Sequence, residues 1–279
     1  MPPALAYLIV IGLLHLVRVL PLHPREWLGA LLFWRNYIPA RLGGPDSNWY
    51  TGHFWSLAVE EHFYLLLPAI LLLARRSRVI VLSSMATLII CWRGHAVTHG
   101  MADGFRTDQR LDALLVPAIL AILLSTSVRD AVRPYLQPLW VAPWCVLLVL
   151  FSWYAPFGET VFKPLYLSAL VASTMLHPST LGGQILESHF LRFVGRISYG
   201  LYLWQQLFFV EHFEPATRPL SILQVFPFNW ISLFGVAIVS YYLLERPLLE
   251  IGHRVASPFR AGDDTVRLRG LQAAQTEEA

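Results

Sequence analysis

His53-Phe54-Trp55-Ser56-Leu57-Ala58-Val59-Glu60-Glu61-His62-Phe63-Tyr64-Leu65-Leu66-Leu67-Pro68 carries acids, imidazoles and a hydroxyl straight into an apolar run of membrane-embedded character. Ionisable groups are costly in hydrocarbon, so their presence there points to function. His53, Ser56, Glu60 and Tyr64 follow one another at three, four and four residues, a spacing that puts all four on one stripe of a helix. Glu61 and His62 fall off that stripe. An ordinary interfacial helix end accounts for His53 and Trp55. It accounts less well for Glu60 and Tyr64, which lie one to two turns deeper.

The rest of the chain fits the same setting. Of its 279 residues, 56% are apolar and only 14% charged, and the mean hydropathy is +0.51. Soluble domains carry about 25% charged residues. The expected fold class is all-α: a polytopic transmembrane helical bundle with roughly eight to nine apolar segments, near 4–20, 27–39, 54–74, 79–92, 111–126, 138–154, 163–177, 193–210 and 224–244. A span needs roughly 20 apolar residues. The stretch 27–39 is the weakest and reads as a re-entrant or interfacial piece. Residues 1–255 form one membrane domain in this reading, and 256–279 a polar, disordered tail. Cys91 and Cys145 have no metal-ligand spacing and make no disulfide framework, so no metal or bound cofactor is expected. The net charge of +3 is no nucleic-acid signature.

Charge sets the orientation. Arg75, Arg76 and Arg78, then Arg129 and Arg133, then Arg192 and Arg196, then Arg246 and Arg254 fall on one side if the segments from 54 onward alternate. The positive-inside rule makes that side cytoplasmic, and the C-terminus with it, in the inner (plasma) membrane. Glu159, Glu211 and Glu214 fall opposite. The stretch from Arg93 to Arg110 breaks the pattern with three arginines on the outer side, which implies specific work for them. Lys163 is the only lysine against twenty arginines, a usage that suggests a bacterial gene.

Three further clusters bear on chemistry. In Phe105-Arg106-Thr107-Asp108-Gln109-Arg110-Leu111-Asp112, a helix stacks Arg106 over Arg110 and Asp108 over Asp112. Like charges four apart repel mildly, so these groups are expected to pair elsewhere. Ser198, Tyr202 and Gln205 form a second polar stripe, of the kind that often only bonds neighbouring helices. At Glu245-Arg246-Pro247 the proline is expected to stop the last helix, with Glu245 facing a buried arginine or an interfacial partner.

These residues carry a resemblance. The run from His53 to Pro68 resembles the hallmark of the membrane acyltransferase-3 family, H-x-W-S-L-x-V-E-x-x-F-Y-L-x-x-P, at every fixed position. Arg110-Leu111-Asp112-Ala113-Leu114 resembles the family's R-x-D-A-L. Gly195 to Trp204 resembles G-x-I-S-Y-x-x-Y-L-W, and Glu245-Arg246-Pro247 its closing E-x-P. The four elements stand in family order over residues from about 30 to 250. The family's opening histidine helix and R-x-x-R pair have no counterpart here, so the chain reads as one entered in the middle. Val116-Pro117 replaces a usual glycine.

The resemblance implies an O-acyltransferase that moves an acetyl or similar group from acyl-CoA, a co-substrate, to a hydroxyl of a cell-envelope polysaccharide or glycolipid. The implied partners are the acyl-CoA donor, the carbohydrate or glycolipid acceptor and membrane lipid. On that reading Glu60, His53 and Ser56 are the catalytic candidates, with Glu60 orienting a base or a structural arginine and His53 at the mouth of the site. Trp55, Tyr64, Arg110, Asp112, Ser198, Tyr202 and Glu245 are the substrate-binding candidates; Ser56 and Tyr64 line the acyl path, and Arg110 and Asp112 lie near the acceptor or form a structural pair. The alternative is a truncated, inactive relative that acts as a binding or assembly protein of the membrane.

Overall fold

The structure, a computed structural model, describes residues 2–38, 49–101, 104–137, 139, 143, 145–147, 149–150, 156–210, 215–252 and 254, with side chains of 156–162 and 215–218 left out. It is 82% helical, with no strand among the described residues. The chain divides into two compact units, one made of residues 1–10 and 195–279 and the other of 11–194.

Three helices are long and apolar enough to cross a membrane: Trp49–Leu73, Arg78–Thr98 and Phe228–Gly252. A bent pair, Asp112–Leu124 and Val128–Leu136 at 109°, makes a fourth if counted as one span. The expected eight to nine segments therefore do not all become spans among the described residues. The 138–154 segment lies largely outside the described residues, and the 256–279 tail wholly so.

Helix α1 (Pro2–Leu16) falls short of the 4–20 segment for a local reason. Arg18 adopts φ +59°, and Val19 N–H donates to the Leu14 carbonyl at 2.8 Å, the six-to-one bond with which a left-handed residue closes a helix. Helix α2 (Pro24–Leu31) starts on a proline at N1. It ends in the same way, with Phe33 at φ +54° and Trp34 N–H on the Gly29 carbonyl at 2.6 Å. A single 3-10 turn, Arg35–Tyr37, follows. Eight helical residues rise about 12 Å and cannot span, so 27–39 is a short bent piece.

Helix α3 (Trp49–Gly52) runs through His53 into α4 (Phe54–Leu73). Helix α5 (Arg78–Thr98) extends well past the expected 79–92. The short α6 (Thr107–Arg110) leads through Leu111 into α7 (Asp112–Leu124). Helices α4, α5 and α7 close on one core of Val59, Phe63, Ile70, Leu82, Ala86, Leu111 and Leu115. After α8 (Val128–Val132), helix α9 (Pro156–Leu176) packs on α7 through Leu120, Leu124, Ala169, Ala172 and Leu176. The short α10 (Leu181–Leu186) precedes α11.

In the other unit, α11 (His189–Phe208) buries Ile197, Leu203, Trp204 and Leu207, and Tyr7 of α1 meets the Trp204 ring edge-on at 5.4 Å. Gly200 lets α11 approach α12 (Phe228–Ser240): a Cβ there would lie 3.2 Å from the Ala237 carbonyl oxygen. Pro247 does not stop this helix. A π-helical turn, Tyr241–Glu245, comes first, and the helix then runs on to Gly252. The wider turn relieves the clash between a proline ring and the preceding carbonyls, which would otherwise break the rod.

Candidate functional site

The central motif sits where α4 begins. His53 keeps helical angles (φ −63°, ψ −15°) at the junction with α3 and is buried. Ser56 Oγ donates to the His53 carbonyl at 3.2 Å. Glu60 follows one turn on, half-buried, and Tyr64 lies another turn on at 58% exposure. The stripe read from the spacing is thus real, and it runs from a buried imidazole to an exposed phenol. Trp55 packs edge-on against Phe105, ring centroids 5.2 Å apart.

His62, which the spacing sets off the stripe, is the residue that knits three segments together. Its Nδ1 lies 2.7 Å from Thr107 Oγ1, and Asn36 Nδ2 donates to the same hydroxyl at 2.7 Å. A hydroxyl that accepts from an amide still has its own proton to give, which suits a His62 whose Nδ1 accepts. Trp34 stacks on Tyr37 at 4.5 Å, His62 meets both rings, and the Arg106 guanidinium lies 5.3 Å from the Tyr37 ring centre. Residues 36, 62 and 107 are far apart in sequence, so no local pattern announces them.

Two buried charged groups near the motif also escape sequence reading. Glu26 of α2 is fully buried, 3.9 Å from Arg35, and Arg35 Nε donates to Thr51 Oγ1 at 3.2 Å. Burial holds the Glu26 carboxyl above the usual carboxylate range, with the Arg35 charge pulling the other way. An acid and an arginine flanking a short apolar stretch were the available signal. The pair anchors α2 and the 3-10 turn to the helix that carries His53.

Arg93, Arg106 and Arg110 each have a partner. Arg93 of α5 makes two 2.9 Å bonds to the two carboxylate oxygens of Asp112 and a third to the Gln109 carbonyl, all buried. The ion-pair partner of Asp112 is thus Arg93, not the Arg110 expected from sequence. Arg110 Nε donates to the Gly104 carbonyl, where Gly104 adopts φ +74°.

Arg106 pairs with Asp108 at 2.9 Å, and Trp92 Nε1 donates to the same carboxylate at 2.9 Å. Burial pushes the Asp108 carboxyl up, but the Arg106 and Trp92 bonds outweigh it and leave it below the usual range. A lowered folded-state pKa adds stability above the unfolded value and loses it as pH falls through the folded one. Wild-type protein is therefore expected to lose more thermal stability than Asp108→Asn between about pH 5 and pH 2. Equal losses in the two melting series would remove the assignment.

A cavity of about 750 Å³ opens between α7 and α9. Arg93, Arg110, Ala113 and Lys163 stand at one end and Ser125, Arg129 and Met175 toward the other, with Leu120, Ala121, Leu167 and Val171 between. Of the site residues expected from sequence, Arg110 alone is in its lining.

Ser198, Tyr202 and Glu245 belong to the other unit. Ser198 is exposed and donates to the Gly195 carbonyl at 2.8 Å, and Tyr202 is half-buried. Glu245 closes the π turn, its Oε1 buried without a hydrogen-bond partner among the described residues. Arg246 pairs with Glu250 at 3.0 Å rather than with Glu245.

Comparison with known proteins adds a second line. A sequence profile described as an acyltransferase domain, that of the acyltransferase-3 family, matches residues 1–246. The chain is 27% identical over 225 residues to the O-acetyltransferase OatA of Staphylococcus aureus strain NCTC 8325, covering 72% of this chain and 36% of that one. It is 30% identical over 230 residues to the "Putative O-acetyltransferase SACOL0978" of S. aureus strain COL, with the same coverage. The chain thus spans about a third of the length of these relatives. No solved structure matches.

Proposed function

The chain belongs to the acyltransferase-3 family, and from that membership we propose that it is a membrane O-acyltransferase. It moves an acetyl or similar acyl group from acyl-CoA to a hydroxyl of a cell-envelope polysaccharide or glycolipid. The observation that carries the reading is the convergence of residues 34–37, 53–64 and 105–112 on one place, through the Asn36–Thr107–His62 bonds and the Trp55–Phe105 contact. Of these segments, 53–64 carries most of the hallmark and 110–112 the start of the R-x-D-A-L element.

In the reaction the acceptor hydroxyl oxygen bonds to the thioester carbon. The C–S bond breaks, the hydroxyl proton passes to a base, and the CoA thiolate leaves and is protonated. Such a step needs a positioned base and donors for the oxyanion that forms on the carbonyl. His53 and Glu60 are the acid–base groups on this chain, held on one face of α4. Ser56 and Tyr64 line the acyl path, and Arg110 offers a planar donor to an anionic part of a substrate. Ser198, Tyr202 and Glu245 remain candidate binding groups of the other unit. The setting is the plasma membrane of a bacterium, with the C-terminus cytoplasmic.

The test is turnover. The full chain in lipid nanodiscs, given acetyl-CoA and an envelope polysaccharide, is expected to release free CoA thiol only when acceptor is present and to leave an alkali-labile acetyl ester on it. Binding of both substrates without ester formation would instead make this chain a binding or assembly protein.

A further inference from the structure

The last turn of α5 carries a pair of histidines that the acyl-transfer reading does not use. His95 and His99 stand four residues apart and so share one face of the helix. Their ring centroids lie 4.0 Å apart, with the planes tilted by 33°. Both side chains are exposed, at the end of a helix long and apolar enough to cross a membrane. The turn beneath them is fixed. Gly100 adopts φ +67°, its N–H donates to the Val97 carbonyl at 3.2 Å, and Met101 N–H donates to the Ala96 carbonyl at 2.8 Å. These are the paired closing bonds of a Schellman end. His99 Nδ1 lies 2.9 Å from the His95 carbonyl oxygen. The Thr98 hydroxyl, 3.1 Å from the same nitrogen, gives its own proton to that carbonyl at 2.9 Å. A carbonyl can only accept, so Nδ1 carries the proton of the neutral ring and the Nε2 lone pair is left for a ligand. A backbone bond of this kind is what orients an imidazole that holds a metal. The helix C-terminus adds a partial negative charge, which favours a cation.

We propose that His95 and His99 form a site for one divalent ion of the late first-row transition metals, Zn²⁺ or Cu²⁺. Two histidines four apart on a helix are the pair that grips zinc in helical metal motifs. Imidazole suits zinc and copper, whereas magnesium and manganese prefer oxygen ligands. No third histidine, cysteine or carboxylate joins the pair among the described residues, so water fills the remaining positions. An ion bridging the two rings ties down the last turn of α5 next to Trp92, which stacks on His95 with centroids 5.9 Å apart and gives Asp108 a hydrogen bond. The site does not rest on the transferase reading above.

The test uses the full chain in lipid nanodiscs, purified without a histidine tag and kept at about pH 7.5, where free imidazoles are mostly neutral. Calorimetry with Zn²⁺ is expected to show a site that Mg²⁺ and Mn²⁺ at the same concentration leave unfilled. His95→Gln and His99→Gln are each expected to weaken Zn²⁺ binding by at least about tenfold, the lower end of what losing even a supporting bond costs a metal site. Both side chains are exposed, so without metal the variants are expected to melt with the wild type. His189→Gln and Cys91→Ser change exposed residues outside the pair and are expected to leave binding as it was. Zn²⁺ is expected to raise the melting temperature of the wild type and of neither histidine variant. A further arm leaves the histidines untouched: on the Cys91→Ser background, electron paramagnetic resonance of one equivalent of Cu²⁺ is expected to show two imidazole nitrogens. Absence of Zn²⁺ binding, binding that survives both histidine variants, or a Cu²⁺ spectrum with one nitrogen or none would each overturn the proposal.

Discussion

Arg93→Ala is expected to cost about 3–5 kcal/mol of stability, because it leaves the buried Asp112 carboxylate without its bidentate partner. The two side chains are almost wholly enclosed, at 4% and 0% exposure, and meet through two 2.9 Å bonds. Asp112→Ala is expected to cost a similar amount by removing the carboxylate from the buried guanidinium. The double change to Arg93→Met and Asp112→Leu removes both charges while keeping bulk, and is expected to be far milder than either single change. The measurement is reversible unfolding of the purified chain in mixed micelles, fitted for all four proteins. If the double variant is as unstable as the sum of the singles, the pair is not the reason for the losses. The expected sign follows from the asymmetry between a paired and a lone buried charge.

Glu60→Gln is expected to abolish acyl transfer, by a factor of about 10²–10⁴ if the carboxylate serves the proton transfer. The melting temperature should stay near wild type, since the half-buried Glu60 can exchange one oxygen for an amide with little change of shape. Glu61→Gln is the control: it sits on the same helix, one residue off the stripe, and should transfer at close to the wild-type rate. Undiminished acylation by the Glu60 variant would remove this residue from the mechanism and shift attention to His53. Equal losses in both variants would point to the charge of the helix end rather than to one positioned acid.

Much of this was open to reading from the chain alone because its signals are local. The period of three and four that aligns His53, Ser56, Glu60 and Tyr64 is a property of any helix, and α4 keeps it. The low charge content and the run lengths identify a helical membrane protein without coordinates. The pairing of Arg93, Arg106 and Arg110 was also foreseeable in kind, since the sequence breaks its charge pattern there. Their partners were not: Asp112 is 19 residues from Arg93, and Thr107 is 71 residues from Asn36. Segment ends went astray where a single backbone state decides them. Arg18 and Phe33 turn left-handed inside apolar runs that hydropathy alone extends past them. Pro247 misled in the other direction, because a π turn upstream absorbs what a proline normally does to a helix.

The sequence by itself determined the class of molecule, the family it joins and the face of α4 on which the acid and the imidazole lie. All three depend on composition, residue order and helical period, which act over a few residues. Only the tertiary structure decided that His62 rather than its stripe neighbours ties the segments together, that Asp112 serves Arg93, and that Glu26 and Arg35 brace the entry to the motif. Those facts concern groups distant in the chain, and the burial of charge makes their partners obligatory without saying which they are.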